Sequence, residues 1–266
     1  HLQSTKAFIE WLLDDNYILQ GLARYRVTPS GSLDRKGEIG LGVFSDPALV
    51  NIVFPEMLEE IEVRLLPSPE DNRTIVIDYG NHATALHSVE PVDDIVVREW
   101  AQDGSLKGVT LLLGRFSMTA LIERPNDIPI LREKQDYLLE TCGGIKNSHA
   151  YRETRAIFNR MPKRELFYTD RASLKQIVDK IVFATGDDDL FIQVRQGAGY
   201  QALYVVFSRL RYSGQMERDL TQKYQDACGP IPFVTSADLG NTSMIVFYFD
   251  ADHLTEARSH FALWAM

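Results

Sequence analysis

Cysteine is scarce: Cys142 and Cys228 are the only two in 266 residues. They belong to no C-x-x-C pair and have no histidine at ligand spacing, which excludes a disulfide framework and a structural zinc site and leaves two reduced, partly buried thiols as the expectation. Long apolar runs are missing as well. Stretches such as Met244–Phe249 are strand-length, far below the roughly 20 residues of a membrane-spanning helix, and the amino terminus lacks a basic-then-apolar signal pattern. A soluble, cytoplasmic protein with no membrane partner is expected. Basic charge is in deficit, with 28 Lys and Arg against 37 Asp and Glu and a formal charge of −9, so the surface repels phosphate backbones and nucleic acid is not an expected partner. G-x-S-x-G and G-x-x-x-x-G-K-[ST] are both absent, which removes the anchor for hydrolase and nucleotide-triphosphatase chemistry. Internal repeats and low-complexity tracts are absent too.

What is present is ordinary globular material, 45% hydrophobic and 24% charged, enough for one large core or two smaller ones. Two domains are expected. Ser4–Asn16 carries Phe8, Ile9, Leu12 and Leu13 at helical spacing behind a serine cap. "YILQGLARYRVTP" and "GEIGLGVF" read as strands, and residues 46–69 as helical with a restart at Pro55. From Thr74 the pattern has period two: "TIVIDYG", "ATALHSVE", a hairpin turning at Gln102-Asp103-Gly104-Ser105, and "SMTALIE" as a last strand. Residues 1–123 thus read as an α+β domain of one helix and five or six mostly antiparallel strands.

Residues 124–170 read as a helical connector. Asp127 is placed to cap a helix with Pro129 in its first turn and Gly143-Gly144 at its end, and a second helix runs from Ser148 to Met161 before Pro162. A helix at Arg171–Phe183 then opens an α-β-β-α-β-β series over 171–266, with strands at 189–196, 200–210, 231–238 and 243–250, a helix at 213–229 and a closing helix at 252–264. This order is a cyclic rotation of the ferredoxin-like pattern, and a four-stranded sheet with helices on one face is expected. The fold class expected for the whole chain is α+β.

Motifs that suggest chemistry dissolve on inspection. Gly197-Ala198-Gly199-Tyr200-Gln201-Ala202 formally fits G-x-G-x-x-[GA], but that fingerprint needs a helix to follow, and "YQALYVVFSRL" is a strand. A hairpin tip is expected. His82 and His87 are five apart and His253 and His260 seven, neither at H-E-x-x-H spacing, and His1 stands apart. Asp187-Asp188-Asp189 lacks the form of a calcium loop, and Glu59-Glu60-Ile61-Glu62 reads as a solvated helix face. Ser148-His149 are neighbours whose side chains point apart, so a helix cap is expected rather than a nucleophile and base. Arg152, Arg155, Arg160, Lys163 and Arg164 form a candidate anion patch, with surface solvation and dipole compensation as the simpler account. No catalytic, cofactor-binding or metal-binding residue is assigned.

Four blocks carry a family signature: "FIEWLLDDNYILQGL" at 8–22, "RPNDIPILREK" at 124–134, "NSHAYRETRAIFNRMPKRELFY" at 147–168, and "DDDLFIQVRQ" followed by "ALYVVFSRLRY". They resemble the amino-terminal, non-catalytic region of the large NAD-specific glutamate dehydrogenases. Phe8, Trp11, Leu12, Asp14, Asp15 and Gly21 fall on the first motif. Pro125, Asp127, Ile128, Pro129, Ile130, Leu131, Arg132 and Lys134 fall on the second, and Asn147, Ser148, His149, Pro162, Lys163, Glu165, Leu166 and Phe167 on the third. Little matches between Ser45 and Pro91, and Arg195-Gln196 and Phe207-Ser208-Arg209 depart from the pattern.

The resemblance implies a regulatory and assembly region built of a PAS-like module (1–123), a connector (124–170) and an ACT-like module (171–266). The parent polypeptide would carry the catalytic domain and oxidise L-glutamate with NAD to 2-oxoglutarate, ammonia and NADH; this segment itself would hold no cofactor. A homo-oligomer, contact with the rest of the parent chain and an amino-acid or other small-molecule effector are the partners so implied. The start without Met and the end at "HFALWAM" fit a piece of a longer chain. A free-standing two-domain small-molecule sensor is the alternative.

Overall fold

The computed structural model describes residues 2–35, 38–46, 65–68, 71–80, 92–183, 191–197 and 199–250. The expected helix restart at Pro55, the strand at 83–90, the helix at 252–264, the acidic clusters at 59–62 and 187–189, and His1, His82, His87, His253 and His260 lie outside them. The chain divides into two compact units, His1–Glu123 and Arg124–Met266. Among the described residues no helix is long and apolar enough to cross a membrane.

In the first unit helix α1 (Leu2–Trp11) runs into a π-type turn (Leu12–Asn16), where Asp15 at φ 56 reverses the chain into strand β1 (Tyr17–Val27). β2 (Leu33–Asp34), β3 (Gly40–Gly42), β4 (Ile75–Gly80), β5 (Val92–Trp100) and β6 (Leu106–Phe116) complete a six-stranded antiparallel sheet, ordered β2-β1-β6-β5-β4 with β3 also on β1. The alternation read from the sequence puts Ala23, Tyr25, Val96, Leu111 and Leu113 on one face, where they form a core with Phe44 and Leu65. The β5–β6 hairpin turns where expected: Gly104 takes φ 83, and the Asp103 carboxylate accepts the Ser105 N–H at 2.9 Å.

"SMTALIE", expected as a strand, is instead a helix, α2 (Met118–Ile122). The Ser117 hydroxyl accepts the Ala120 N–H at 3.2 Å, and that cap satisfies the first turn while Ala120 packs inward. A five-residue window cannot separate period two from one helical turn, and the cap decides it.

The second unit opens with a 3-10 turn (Pro125–Asp127) and α3 (Pro129–Thr141). Asp127, expected as the cap, lies within the 3-10 turn; Ile128 takes the cap position without a side-chain bond and is buried. α4 (His149–Arg160), α5 (Lys163–Tyr168) and α6 (Arg171–Val182) follow. Caps set two of their starts, with Ser148 Oγ accepting from Tyr151 N–H at 3.3 Å and the Asp170 carboxylate accepting from the Ala172 and Ser173 N–H groups at 2.9 and 3.0 Å.

β7 (Phe191–Gln196), β8 (Tyr200–Ser208), α7 (Gly214–Cys228), β9 (Phe233–Asp238) and β10 (Thr242–Asp250) build a four-stranded antiparallel sheet in the order β7-β8-β10-β9. β8 and β9 flank β10 and run parallel to each other, a split β-α-β unit with α7 as its crossover. Gly197 N–H bonds Tyr200 O at 2.9 Å and Gly199 takes φ 79, so these glycines sit in the β7–β8 hairpin and the chain continues as a strand.

The expected placing of helices on one face needs correction. α7 packs Tyr224 and Cys228 against Leu203, Val205, Phe207, Ile245, Phe247 and Phe249. α6 sits on the opposite face, where Lys180 reaches Gln193 at 3.2 Å and lies over the Phe191 ring, and it packs with α3 and α4. Both central strands are therefore covered twice. That burial explains their near-continuous apolar runs, "ALYVVF" and "MIVFYF".

Candidate functional site

The helix α5 is buried almost all round, with Glu165, Leu166, Phe167 and Tyr168 each at most 5% exposed. Its carboxylate therefore cannot reach water, and its partners come from the sheet. Tyr204 of β8 donates to Glu165 Oε2 at 2.5 Å, and Tyr248 of β10 donates to Oε1. Arg195 of β7 places Nη2 3.8 Å from Oε2, gives Nε–H to the Tyr204 hydroxyl at 3.0 Å and Nη1–H to the Tyr200 hydroxyl at 2.8 Å. Thr169 Oγ1 lies 3.1 Å from the Tyr204 hydroxyl. Register makes the meeting possible: Ala202 pairs with both Arg195 and Tyr248, and its small side chain leaves room between the larger ones. The Tyr200 and Tyr248 rings stack at 5.5 Å and the Arg195 guanidinium lies 5.4 Å from the Tyr200 ring centroid.

The electrostatics keep these groups as fixed donors. Burial, then the neighbouring Glu165 charge, pushes the Tyr248 hydroxyl well above its usual range. Burial also raises Tyr204, with Arg195 opposing and Glu165 adding. Burial works against the Arg195 charge, but the facing tyrosines and Glu165 outweigh it and hold the guanidinium above its usual value. Buried neutral phenols and a paired guanidinium supply neither a base nor a nucleophile. What the cluster does is bind one short helix to three of the four strands and fix their register.

Lys134 of α3 strengthens the same joint. Its ammonium donates to the carbonyls of Leu166, Phe167 and Thr169 at 2.7, 2.9 and 2.7 Å, at the carboxyl end of α5 where orphan carbonyls and the helix dipole favour a cation. All three ammonium donors are used.

A second buried charge lies in the first unit. Arg98 gives Nη1–H to Asp71 Oδ2 at 2.8 Å, and Arg73 grips the same carboxylate at 2.7 and 2.9 Å. Burial would raise the Asp71 carboxyl, but the hydrogen bonds from Arg73 and Arg98 outweigh it and hold it well below the usual carboxylate range. A folded-state value below the unfolded one, near about 4, contributes stability that is present above that value and is lost as pH falls. Urea melts of the first unit should weaken from pH 5 towards pH 3, with a shallower acid limb in Asp71→Asn. Equal acid limbs in the two proteins would refute the role given to Asp71.

The residues singled out in the sequence are scattered. Ser148 is a cap, as expected. His149 is exposed, with Nδ1 3.9 Å from Glu153 on its own helix. Arg152, Arg155 and Arg160 are exposed while Lys163 and Arg164 are half-buried on the next helix. Cys142 and Cys228 are buried and form no disulfide. Among the described residues no group of three or more His, Cys, Asp or Glu is placed to hold a metal. Sequence reasoning passed over Glu165 and the three tyrosines. The signals were a lone Glu inside "ELFY" and tyrosines at 200, 204 and 248, each on the same strand face as Arg195.

An open groove of about 540 Å³ runs between α7 and β9, lined by Glu217, Arg218, Thr221, Gln222 and Val234 among others.

Residues 128–186, which contain α3 to α6, match the family model described as glutamate dehydrogenase, helical motif 1. The NAD-specific glutamate dehydrogenase of Halomonas elongata is 26% identical over 179 residues, 64% of this chain and 10% of that protein. That of Pseudomonas aeruginosa is 22% identical over 175 residues, 63% of this chain and 10% of that protein. The chain spans about a tenth of the length of these curated relatives. The likeness read from the sequence blocks therefore holds on both comparisons: this chain is similar to a segment of the NAD-specific glutamate dehydrogenases, and its residues 128–186 match the helical-motif model.

Proposed function

We propose that the chain is a non-catalytic regulatory and oligomerisation segment of a large NAD-dependent glutamate dehydrogenase, whose parent reaction converts L-glutamate and NAD to 2-oxoglutarate, ammonia and NADH. The observation that carries this reading is the helical-motif match lying on the helices that close over Glu165. In it, residues 1–123 are a PAS-like module, 124–170 the connector and 171–266 an ACT-like module, in a cytoplasmic homo-oligomer whose catalytic domain holds the NAD. An amino acid or similar effector would act by a coupling free energy between its site and the catalytic domain. The groove along α7 has Glu217 and Arg218 in its lining, one charge of each sign, as an amino-acid zwitterion needs.

The test is Tyr248→Phe in the full-length polypeptide. The change keeps the ring stack and removes one donor to Glu165. Turnover at saturating substrate should be kept, while the half-saturating glutamate concentration or the assembly state by light scattering shifts, by about fivefold or more for a typical coupling. Turnover lost with assembly and half-saturation unchanged would overturn the non-catalytic reading, and no shift in either would overturn the regulatory one.

A further inference from the structure

Compact units within one chain are usually joined by an exposed, flexible linker that lets them move independently. Here α2 ends at Ile122 and the 3-10 turn of the second unit begins at Pro125, so Glu123 and Arg124 alone stand between them. Both are held.

Glu123 is tied to the first unit twice. Its N–H bonds Thr119 O at 3.0 Å, and its carboxylate Oε2 accepts the Trp11 indole N–H at 2.8 Å. Trp11 is itself fixed at the end of α1, where its ring stacks on Phe8 at 5.5 Å and leans on Phe116 at 6.2 Å. Arg124 is tied to the second unit. Its carbonyl accepts the Asp127 N–H at 2.9 Å, Pro125 is buried, and Arg132 of α3 gives Nε–H to Asn126 O at 2.8 Å. The ring of a proline also confines the residue before it to an extended ψ, and Arg124 sits there at φ −66 and ψ 133. Glu123 is extended too, at φ −58 and ψ 149. That leaves Glu123 ψ and Arg124 φ as the torsions that turn without opening one of these bonds or leaving the range the proline allows.

We propose that this junction is a latch. While Trp11 holds Glu123, the extended residues 123–125 form a stiff connection that carries a displacement at the end of α1 into the start of α3. Opening that one side-chain bond releases residue 123 from α1 and lets the junction swing. The bond is the part able to open: Trp11 and Glu123 are half-buried, so water can replace either partner, whereas the restriction from Pro125 is covalent and stays.

The test is the distance distribution between spin labels at Lys107→Cys and Gln176→Cys, both exposed positions, in the 266-residue chain, whose two native thiols are buried. One narrow distribution is expected in this labelled parent. Trp11→Phe, which keeps an aromatic ring and loses the donor, and Glu123→Ala, which loses the acceptor, should each widen it about twofold or more, and the two together no further, because both remove one interaction. Glu123→Gln keeps an acceptor oxygen and should stay narrow. Glu123 lies outside the buried core, so its variants report on the junction even if Trp11→Phe fails to fold. A distribution already broad in the parent would overturn the stiff connection. An unchanged width in Glu123→Ala, or a widened one in Glu123→Gln, would overturn the latch.

Discussion

Replacing Arg195 by methionine should lower the unfolding free energy of the 124–266 unit by about 3–5 kcal/mol, the usual cost of leaving one member of a buried ion pair without the other. The size follows from the geometry. Arg195 is 8% exposed and Glu165 fully buried, so no water can replace the lost charge. Two tyrosine hydroxyls would remain on the carboxylate, while Tyr200 and Tyr204 would each lose a donor from the guanidinium. The double variant Arg195→Met with Glu165→Gln should regain a large part of the loss, since a neutral amide keeps the hydroxyl partners and removes the stranded charge. Urea unfolding followed by near-ultraviolet circular dichroism reads both. A loss below about 1 kcal/mol for Arg195→Met would show that the pair behaves as an exposed one, and a double variant no better than the single would show that the charges are not coupled.

Lys134→Met should cost about 3 kcal/mol, at the upper end for a charged hydrogen-bonding group. Three carbonyls at the end of α5 would lose their donor at once, and methionine fills the stem's volume without replacing them. Lys134→Arg should not rescue it, because a planar guanidinium fork cannot aim three donors at carbonyls clustered about one point. Hydrogen exchange should place the loss in α5 first, with amides of 166–169 opening before those of β8 and β10. Protection unchanged in α5 while the sheet weakens would refute the clamp.

Much of the local structure is legible in the letters because local rules set it. Ser148, Asp170 and Ser213 cap helices by side-chain oxygens two or three residues ahead of the N–H groups that they accept, a pattern needing no distant contact. Gln102–Ser105 turns the β5–β6 hairpin for the same reason. The misreadings come where a window is short or a cap is not polar. "SMTALIE" is five helical residues behind a serine, too brief for periodicity to decide. Ile128 rather than Asp127 precedes α3, because burying the isoleucine outweighs the missing cap bond. α5, six residues after Pro162, falls below the length at which apolar spacing can be counted.

The joint itself was legible only in part. Glu165, Leu166 and Phe167 stand in the sequence only as letters of the third family motif, and all three are buried. The role of Glu165 depends on the order β7-β8-β10, which brings positions 195, 204 and 248 beside it from segments 30 to 83 residues away. By itself the sequence determined the α+β class, the helices now seen as α3, α4 and α6, the strands that flank α7, and the likeness to one dehydrogenase family, since caps, periodicity and motif letters are local properties of the chain. Only the tertiary structure decided that α6 lies across the sheet from α7 and that Glu165 is buried on Arg195 and two tyrosines. Pairing of distant strands chooses those neighbours, and a charge can stay inside only where that pairing supplies its partners.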